Sequence, residues 1–168
     1  MSNYSKIKIF DIANGKGIRT SIFFSGCEFR CKGCFNRDIS DFNVGNLFTR
    51  EVYEKEIKPT INDHIAGISA LGGEPLHPHN LPATTNLVKW FKEDFPDKNI
   101  WLWTGNTWEE LMNRKDIHEV LNYINVLVDG RFIEEEKDLT LKWRGSRNQR
   151  VINVQESLKQ NKVVLYED

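Results

Sequence analysis

One segment sets the architecture of the chain, and it reads Ser25-Gly26-Cys27-Glu28-Phe29-Arg30-Cys31-Lys32-Gly33-Cys34-Phe35-Asn36. It contains all three cysteines of the 168-residue chain. Three thiolates on a short loop can hold three corners of an iron-sulfur cluster, whereas a closed tetrathiolate site needs a fourth ligand. The segment therefore predicts a metal centre with one open coordination position, which is typical of sites that perform chemistry.

Other uses of the three thiols are weaker but stay open at this point. A disulfide framework would leave one cysteine over, and the N-terminal residues lack the apolar core of a signal peptide. A structural zinc site would need a histidine as its fourth ligand, and no histidine lies at finger-like spacing from the cysteines. A purely electron-carrying cluster would normally use a fourth cysteine. The candidate histidines are His64, His77, His79 and His118.

The composition fits a single domain that spans residues 1–168. The chain is 39% hydrophobic and 28% charged, with a formal net charge of −1. This balance predicts neither a nucleic-acid partner nor a polybasic membrane anchor. No apolar run reaches the roughly 18 to 20 residues that span a bilayer. Free cysteines without a targeting segment predict a cytoplasmic protein.

Four β-rich runs alternate with helical patterns along the chain. They are Ile18–Phe24, Gly67–Leu71, Asn99–Thr104 and Ile124–Val128. Strands that alternate with helices indicate right-handed βαβ units and a mostly parallel sheet. Because a complete eight-unit barrel takes about 250 residues, the predicted fold is an α/β protein with an open, partial (β/α) barrel.

Capping residues indicate where the predicted helices begin. Thr49 is predicted to cap a first helix, whose apolar positions continue to Ile65. A second helix is predicted over Pro82–Phe95, and Thr107 begins a capping box for the third. Asp116 is predicted to cap the next turn. Short β-like runs at Val151–Val154 and Val163–Tyr166 are predicted to close the chain.

Each predicted parallel strand ends in residues suited to a site. The cysteine segment follows the first strand, and Gly72-Gly73-Glu74-Pro75 follows the second. Thr104 and Asp129 end the next two strands. Since the carboxyl ends of parallel strands meet at one edge of a sheet, these residues are expected on one face. Taken alone, the Gly-Gly-Glu-Pro segment also suits an ordinary tight turn.

The spacing Cys27-x3-Cys31-x2-Cys34, followed by Gly72-Gly73-Glu74-Pro75, resembles the radical S-adenosylmethionine (SAM) enzymes. The resemblance implies that Cys27, Cys31 and Cys34 bind a [4Fe-4S] cluster whose fourth iron binds the methionine part of SAM. It also implies roles for the flanking residues. The implied SAM contacts are Gly33, Cys34 and Phe35 towards the adenine and Gly72, Gly73 and Glu74 towards the methionine end.

Further motifs resemble one family within that superfamily, the activating proteins of anaerobic ribonucleotide reductase. Its members are glycyl-radical activases: a reduced cluster cleaves SAM to methionine and a 5′-deoxyadenosyl radical, which abstracts hydrogen from a glycine of the partner reductase. The resemblance implies anaerobic ribonucleoside-triphosphate reductase as partner and flavodoxin, or a similar protein, as electron donor. The motifs are Asn14-Gly15-x-Gly17-Ile18-Arg19-Thr20, His77-Pro78 after the glycine turn, Ile100–Gly105, Asn125–Gly130 and Trp143-Arg144-Gly145-Ser146-x-Asn148-Gln149.

Several roles remain open at the level of sequence. Thr104 and Asp129 are candidates for contacts to SAM or a nearby cation, and a turn or capping role suits them equally. His77 and His79 suit ordinary loop positions better than metal ligation. The segment Arg144–Arg150 suits a solvated surface or docking of the reductase. Activation of another glycyl-radical enzyme, such as pyruvate formate-lyase, and a noncatalytic metal-binding module are the alternative functions.

Overall fold

The computed structural model describes all residues from Met1 to Asp168. It contains one seven-stranded sheet, in the order β3-β1-β2-β4-β5-β6-β7. The strands are β1 Asn3–Asp11, β2 Ile18–Phe24, β3 Asn46–Leu47, β4 Ile65–Gly72, β5 Asn99–Trp103, β6 Val126–Asp129 and β7 Arg150–Asn153. The α-helices are α1 Arg50–Val52, α2 Leu81–Asp94, α3 Trp108–Met112, α4 His118–Leu121 and α5 Val154–Gln160.

The four central strands are parallel, as the alternating pattern predicts. β2 pairs with β4, β4 with β5 and β5 with β6 in parallel register. The outer strands β1, β3 and β7 are antiparallel to their neighbours. β3 and β7 lie at the two edges of the sheet, so the sheet is open. The protein is thus a mixed α/β structure with a sheet that does not close.

The two faces of the sheet have different environments. Side chains on one face pack against the helices in a hydrophobic cluster of 24 buried residues, which includes Ile22, Ile68 and Leu102. The alternate positions Phe23 and Leu71 belong to a separate small cluster with Trp103 packed against it. This alternation follows from the two-residue period of a strand. It leaves the second face of the sheet free to line a cavity.

The register of β2 and β4 brings the two sequence motifs together. Phe24, the last residue of β2, pairs with Gly72, the last residue of β4. The cysteine segment and the Gly-Gly-Glu-Pro turn therefore leave the sheet side by side. The prediction that they share one face is confirmed at the level of the backbone.

Local corrections concern the first helix and the C-terminal segment. Thr49 caps α1 as predicted, but the helix continues as a π-helix over Tyr53–Ile57 and ends in a 3-10 turn over Lys58–Thr60. Pro59 lies in that last turn and lacks an N–H for helix continuation, and Ile65 already begins β4. The capping box of Thr107 is present.

One prediction near the later helices is wrong, and one helix has no counterpart among the predictions. Asp116 does not cap α4, because its carboxylate accepts two hydrogen bonds of 2.9 Å from Arg114. The β-like run predicted at Val151–Val154 is confirmed as β7 up to Asn153, and the helix α5, which starts at Val154, has no sequence prediction. Asn153 accepts a hydrogen bond from the N–H of Glu156 and so starts a helix that β-branched residues alone do not indicate. None of the helices is long and apolar enough to cross a lipid bilayer.

Candidate metal centre and cofactor pocket

The cysteine segment is held at its beginning by backbone hydrogen bonds. The N–H of Gly26 donates to the carbonyl of Ile39 at 2.8 Å, and the N–H of Cys27 donates to that of Ser40 at 2.9 Å. Gly26 has φ of +101°, a left-handed conformation that glycine adopts without strain. The chain therefore turns sharply at the end of β2, and its first residues after the turn pair with Ile39 and Ser40, which follow the cysteine segment.

All three cysteine side chains line one cavity of about 960 Å³ above the open face of the sheet. They are half-buried free thiols. No three histidine, cysteine, aspartate or glutamate side chains lie close enough together to hold a single metal ion. A [4Fe-4S] cluster binds each thiolate at a different iron, so its ligands lie farther apart than the ligands of a single metal ion. Three thiols that surround one cavity fit that donor set.

Burial changes the acid–base properties of two of the thiols. It raises the pKa of Cys27 to about 11, and burial also raises the pKa of Cys31 above its ordinary value. Both groups are therefore protonated near neutral pH in the metal-free chain. Because iron binds thiolates, ligation must displace these protons. The Sγ of Cys34 already accepts a hydrogen bond from the N–H of Asn36 at 3.4 Å, which is a contact of the kind that adjusts iron-sulfur clusters.

The glycine turn packs directly against the cysteine segment. The N–H of Gly73 donates to Phe24 at 2.9 Å, and the N–H of Glu74 donates to Gly26 at 2.7 Å. A Cβ atom on Gly73 would lie 2.4 Å from the carbonyl oxygen of Gly26. The absence of a side chain at this position is therefore a condition for the close approach of the two motifs.

The carboxylate of Glu74 is occupied within the protein. It is 2% exposed and accepts hydrogen bonds from Leu76 N at 2.9 Å, Thr104 Oγ1 at 2.8 Å and Gly105 N at 2.7 Å. Burial raises the pKa of Glu74, while these three donors act in the opposite direction. In this structure the side chain of Glu74 links the end of β4 to the end of β5. Backbone atoms of the turn, and Thr104, line the cavity.

Asp129 ends β6 as predicted, but its side chain points to neighbouring elements of the chain. It is 1% exposed and accepts hydrogen bonds from the N–H of Trp108 at 2.8 Å and of Arg150 at 3.0 Å. The Nη2 of Arg150 lies 2.6 Å from the same carboxylate and 2.7 Å from Glu109. A contact between Asp129 and a ligand stays a prediction, since here the residue caps α3 and pairs with Arg150.

Arg150→Met is expected to lower the free energy of unfolding by about 2 kcal/mol, because it leaves the buried carboxylate of Asp129 without its charged partner. Urea unfolding followed by circular dichroism measures the change. Arg131→Met is the control, because Arg131 forms an exposed pair with Glu110 at 3.4 Å. Equal, small effects of the two substitutions would contradict the structural role of Arg150.

A second wall of the cavity comes from the long segment between β6 and β7. The ring of Phe132 lies 5.0 Å from that of Phe35, and a Cβ on Gly145 would lie 2.9 Å from Phe35. Gln149 organises this segment: its Oε1 accepts from the N–H of Gly145 at 2.9 Å, and its Nε2 donates to Gly130 at 3.0 Å. This polar run thus forms an internal hydrogen-bond network next to the cysteine segment.

Gly33 and the histidines lie at the margins of the site. Gly33 is exposed with φ of +74°, and a Cβ there would lie 3.0 Å from Glu134. His77 Nε2 is 3.1 Å from Glu28 Oε1, and its Nδ1 accepts from the N–H of His79 at 3.0 Å. Neither histidine lines the cavity. Both therefore occupy loop positions, as the simpler interpretation of the sequence has it.

The cavity wall is rich in basic and aromatic side chains. The acidic residues of the wall are Asp138 and Glu74, and the carboxylate of Glu74 is fully hydrogen-bonded. The guanidinium of Arg131 also lies 4.4 Å from the ring centre of Phe29. Such a wall suits a ligand that combines an anionic group with a planar ring. The basic residues are Lys6, Arg30, Arg37, Arg131 and Arg144, and the aromatic ones are Phe23, Phe29, Phe35, Trp103, Phe132 and Trp143.

Two asparagines link the segments of the site, and the sequence assigns neither of them a role. Asn36 donates from Nδ2 to the carbonyl of Gly72 at 3.2 Å, which ties the cysteine segment to the glycine turn. Asn80 donates to Ser25 and to Glu74, both at 3.0 Å. Asparagine in loops ordinarily marks turns and helix caps, so only the three-dimensional structure distinguishes these two.

Comparison with known proteins identifies the family of the chain. Residues 13–152 match the family described as a 4Fe-4S single cluster domain. The chain is therefore a member of the class of proteins with a single [4Fe-4S] cluster domain.

Its relatives are more specific. The chain is 44% identical to the anaerobic ribonucleoside-triphosphate reductase-activating protein of Vibrio cholerae, over 88% of this chain and 95% of that protein. It is 42% identical to the protein of that name from Escherichia coli K12, over 88% of this chain and 96% of the relative. It is 40% identical to the protein of that name from Enterobacteria phage T4, over 89% of this chain and 92% of that protein. The chain belongs to this family of reductase-activating proteins.

Proposed function

We propose that the protein is a radical SAM enzyme that activates anaerobic ribonucleoside-triphosphate reductase by generating a glycyl radical on it. The names of the relatives support the partner, and the match to a 4Fe-4S domain supports the cluster. A single domain of residues 1–168, with a partial barrel of the radical SAM type, would carry the site. The cytoplasm would provide the reducing environment that the free thiols need.

The residues have separate tasks in this proposal. Cys27, Cys31 and Cys34 hold the cluster. A bound and reduced cluster would supply one electron for cleavage of a carbon–sulfur bond of SAM, which would give methionine and a 5′-deoxyadenosyl radical able to take a hydrogen atom from glycine. Flavodoxin or a similar donor would supply the electron. The backbone of Gly72 and Gly73 would receive the methionine end of SAM.

The remaining implied contacts differ in how directly the structure supports them. Gly33, Cys34 and Phe35 would face the adenine, and the ring of Phe35 lies 60% exposed beside the cavity. The basic wall would attract the SAM carboxylate. Glu74 and Thr104 would act by fixing the strand ends, because Thr104 Oγ1 donates to Glu74 within the protein.

One observation carries the proposal: the three thiols and the Gly-Gly-Glu turn line a single cavity in a chain whose relatives are reductase activators. The test is to reconstitute the protein anaerobically with iron and sulfide, reduce it, and measure 5′-deoxyadenosine formed from SAM. The reductase is then added and the glycyl radical is followed by EPR. Cleavage of SAM together with a glycyl signal is expected.

Other outcomes separate the alternatives. SAM cleavage without a signal on the reductase, but with a signal on pyruvate formate-lyase, would reassign the partner. Bound zinc in place of a cluster, with no cleavage, would replace the enzyme by a noncatalytic metal-binding module. The glycine turn packed against the cysteine segment favours the enzyme, since a passive module needs no ligand pocket beside its metal.

Arg147→Glu is expected to weaken glycyl-radical formation on the reductase about 10-fold while SAM cleavage alone stays unchanged. Arg147 is exposed, whereas Arg144 donates to the carbonyl of Gln149 and Arg150 pairs with Asp129. Only Arg147 of these three is therefore available to an acidic partner surface. EPR spin counts at several ionic strengths measure the effect, with Lys159→Glu on α5 as control. Unchanged spin counts would remove Arg147 from the docking surface.

A further inference from the structure

Asn80 occupies the N-cap position of α2 but does not act as a cap. Its side chain makes no hydrogen bond to the first turn of the helix. An asparagine at this position usually accepts a bond from a free N–H of that turn. Here the residue is completely buried, and its Oδ1 has no hydrogen-bond partner. An unpartnered buried oxygen costs stability, so the position of this amide needs another explanation.

The explanation lies on the other side of the carboxamide. Nδ2 donates to the carbonyl of Ser25 at 3.0 Å and to the carbonyl of Glu74 at 3.0 Å. Ser25 immediately precedes Gly26 and Cys27, and Glu74 belongs to the glycine turn. Both acceptor residues are buried. A planar NH₂ group with two donors can bridge two carbonyls, and no other side chain of this size supplies that arrangement.

We propose that Asn80 is a positioning residue that sets the distance between the cysteine segment and the glycine turn. This inference rests on the proposed function, in which the two segments hold the cluster and SAM respectively. The backbone bond from Glu74 N to Gly26 O, at 2.7 Å, and the side-chain bond from Asn36 Nδ2 to Gly72 O, at 3.2 Å, also join these segments. The two bonds of Asn80 add a rigid connection from α2 and prevent the segments from sliding along each other.

The test uses Asn80→Ser in the full chain, with Asn125→Ser as matched control. Serine keeps a good N-cap for α2 but is too short to bridge both carbonyls. Asn125 also bonds a backbone group, since its Oδ1 accepts from Ile100 N at 2.9 Å. It lies ahead of β6, at the end of the sheet opposite to the cysteines. The pair therefore separates a local effect at the site from the general cost of losing a side-chain amide that bonds the backbone.

Two measurements decide the proposal. In Asn80→Ser the KM for SAM is expected to rise about 10-fold at unchanged iron content, with a smaller change in kcat. Backbone amide hydrogen exchange is measured by mass spectrometry before and after reconstitution. In residues 25–36 and 72–76 it is expected to be faster in Asn80→Ser than in the wild-type protein. Asn125→Ser should leave both quantities at their wild-type values. Because the exchange measurement does not need turnover, it remains decisive even if the wild-type protein fails to cleave SAM.

The opposite results would overturn the inference. A wild-type KM together with wild-type exchange in both segments would show that Asn80 does not position them. Equal changes in Asn80→Ser and Asn125→Ser would show a general loss of stability only. Failure of the wild-type protein to cleave SAM would instead remove the proposed function, while the exchange result would still report on the link between the segments.

Discussion

Cys31→Ala is expected to abolish both the bound cluster and SAM cleavage, with a loss of more than about 100-fold in cleavage rate. Cys31 is the middle ligand of the predicted three, and no other cysteine exists in the chain to replace it. The carboxylates of the cavity are already engaged, since Glu74 is fully hydrogen-bonded and Asp138 accepts two hydrogen bonds from Thr140, and the histidines lie outside the cavity. The measurements are iron and sulfide content after reconstitution and 5′-deoxyadenosine produced from SAM.

Lys32→Ala is the control for this substitution. Lys32 is adjacent in sequence, and its side chain is 83% exposed at 4.0 Å from Glu134. Its removal should leave iron content and cleavage close to wild type. A Cys31→Ala protein that still bound four irons and cleaved SAM would contradict the assignment of Cys31. Loss of activity in Lys32→Ala as well would indicate that the segment is merely sensitive to any change.

The sequence predicts the central fold well because its signals are local and repeated. β2 has the bounds that its β-rich run indicates, and the parallel order follows from strands that alternate with helices. The errors lie where tertiary context decides. The run Val151-Ile152-Asn153-Val154 indicates a strand, and the hydrogen bond from Glu156 N to Asn153 ends the strand there and starts α5. Aspartate is a common helix cap, but the carboxylate of Asp116 accepts a hydrogen bond from Arg114 instead of from the first turn of α4.

The site is predicted in its outline but not in its internal connections. The positions of the cysteine segment and the glycine turn after parallel strands indicate the edge of the sheet where the cavity lies, because the carboxyl ends of such strands meet there. The orientation of Glu74 and Asp129 could not be predicted, since both carboxylates have partners far away in sequence, Thr104 for one and Arg150 for the other. The role of Asn80 could not be predicted from the sequence either. Its role depends on two backbone carbonyls, which carry no side-chain identity.

Gly73→Ala is expected to reduce SAM cleavage by more than about 100-fold and to lower the free energy of unfolding by about 1 to 3 kcal/mol. The added Cβ would lie 2.4 Å from the oxygen and 2.8 Å from the carbon of the Gly26 carbonyl. These are backbone atoms, so the clash can be relieved only by moving the glycine turn away from the cysteine segment. Thermal unfolding, iron content and the KM for SAM together measure the result.

Ile68→Val is the control that separates displacement of the turn from loss of stability. Ile68 is fully buried in β4, the strand that leads to the turn, and its truncation costs about 1 kcal/mol without touching the cavity. At a temperature where both variants are folded, Ile68→Val should keep the wild-type KM, whereas Gly73→Ala should not. If Gly73→Ala cleaved SAM with a normal KM, close backbone contact between the two motifs would not be required. The cavity would then tolerate a wider separation of the proposed cluster and SAM positions than the hydrogen bonds at Gly26 indicate.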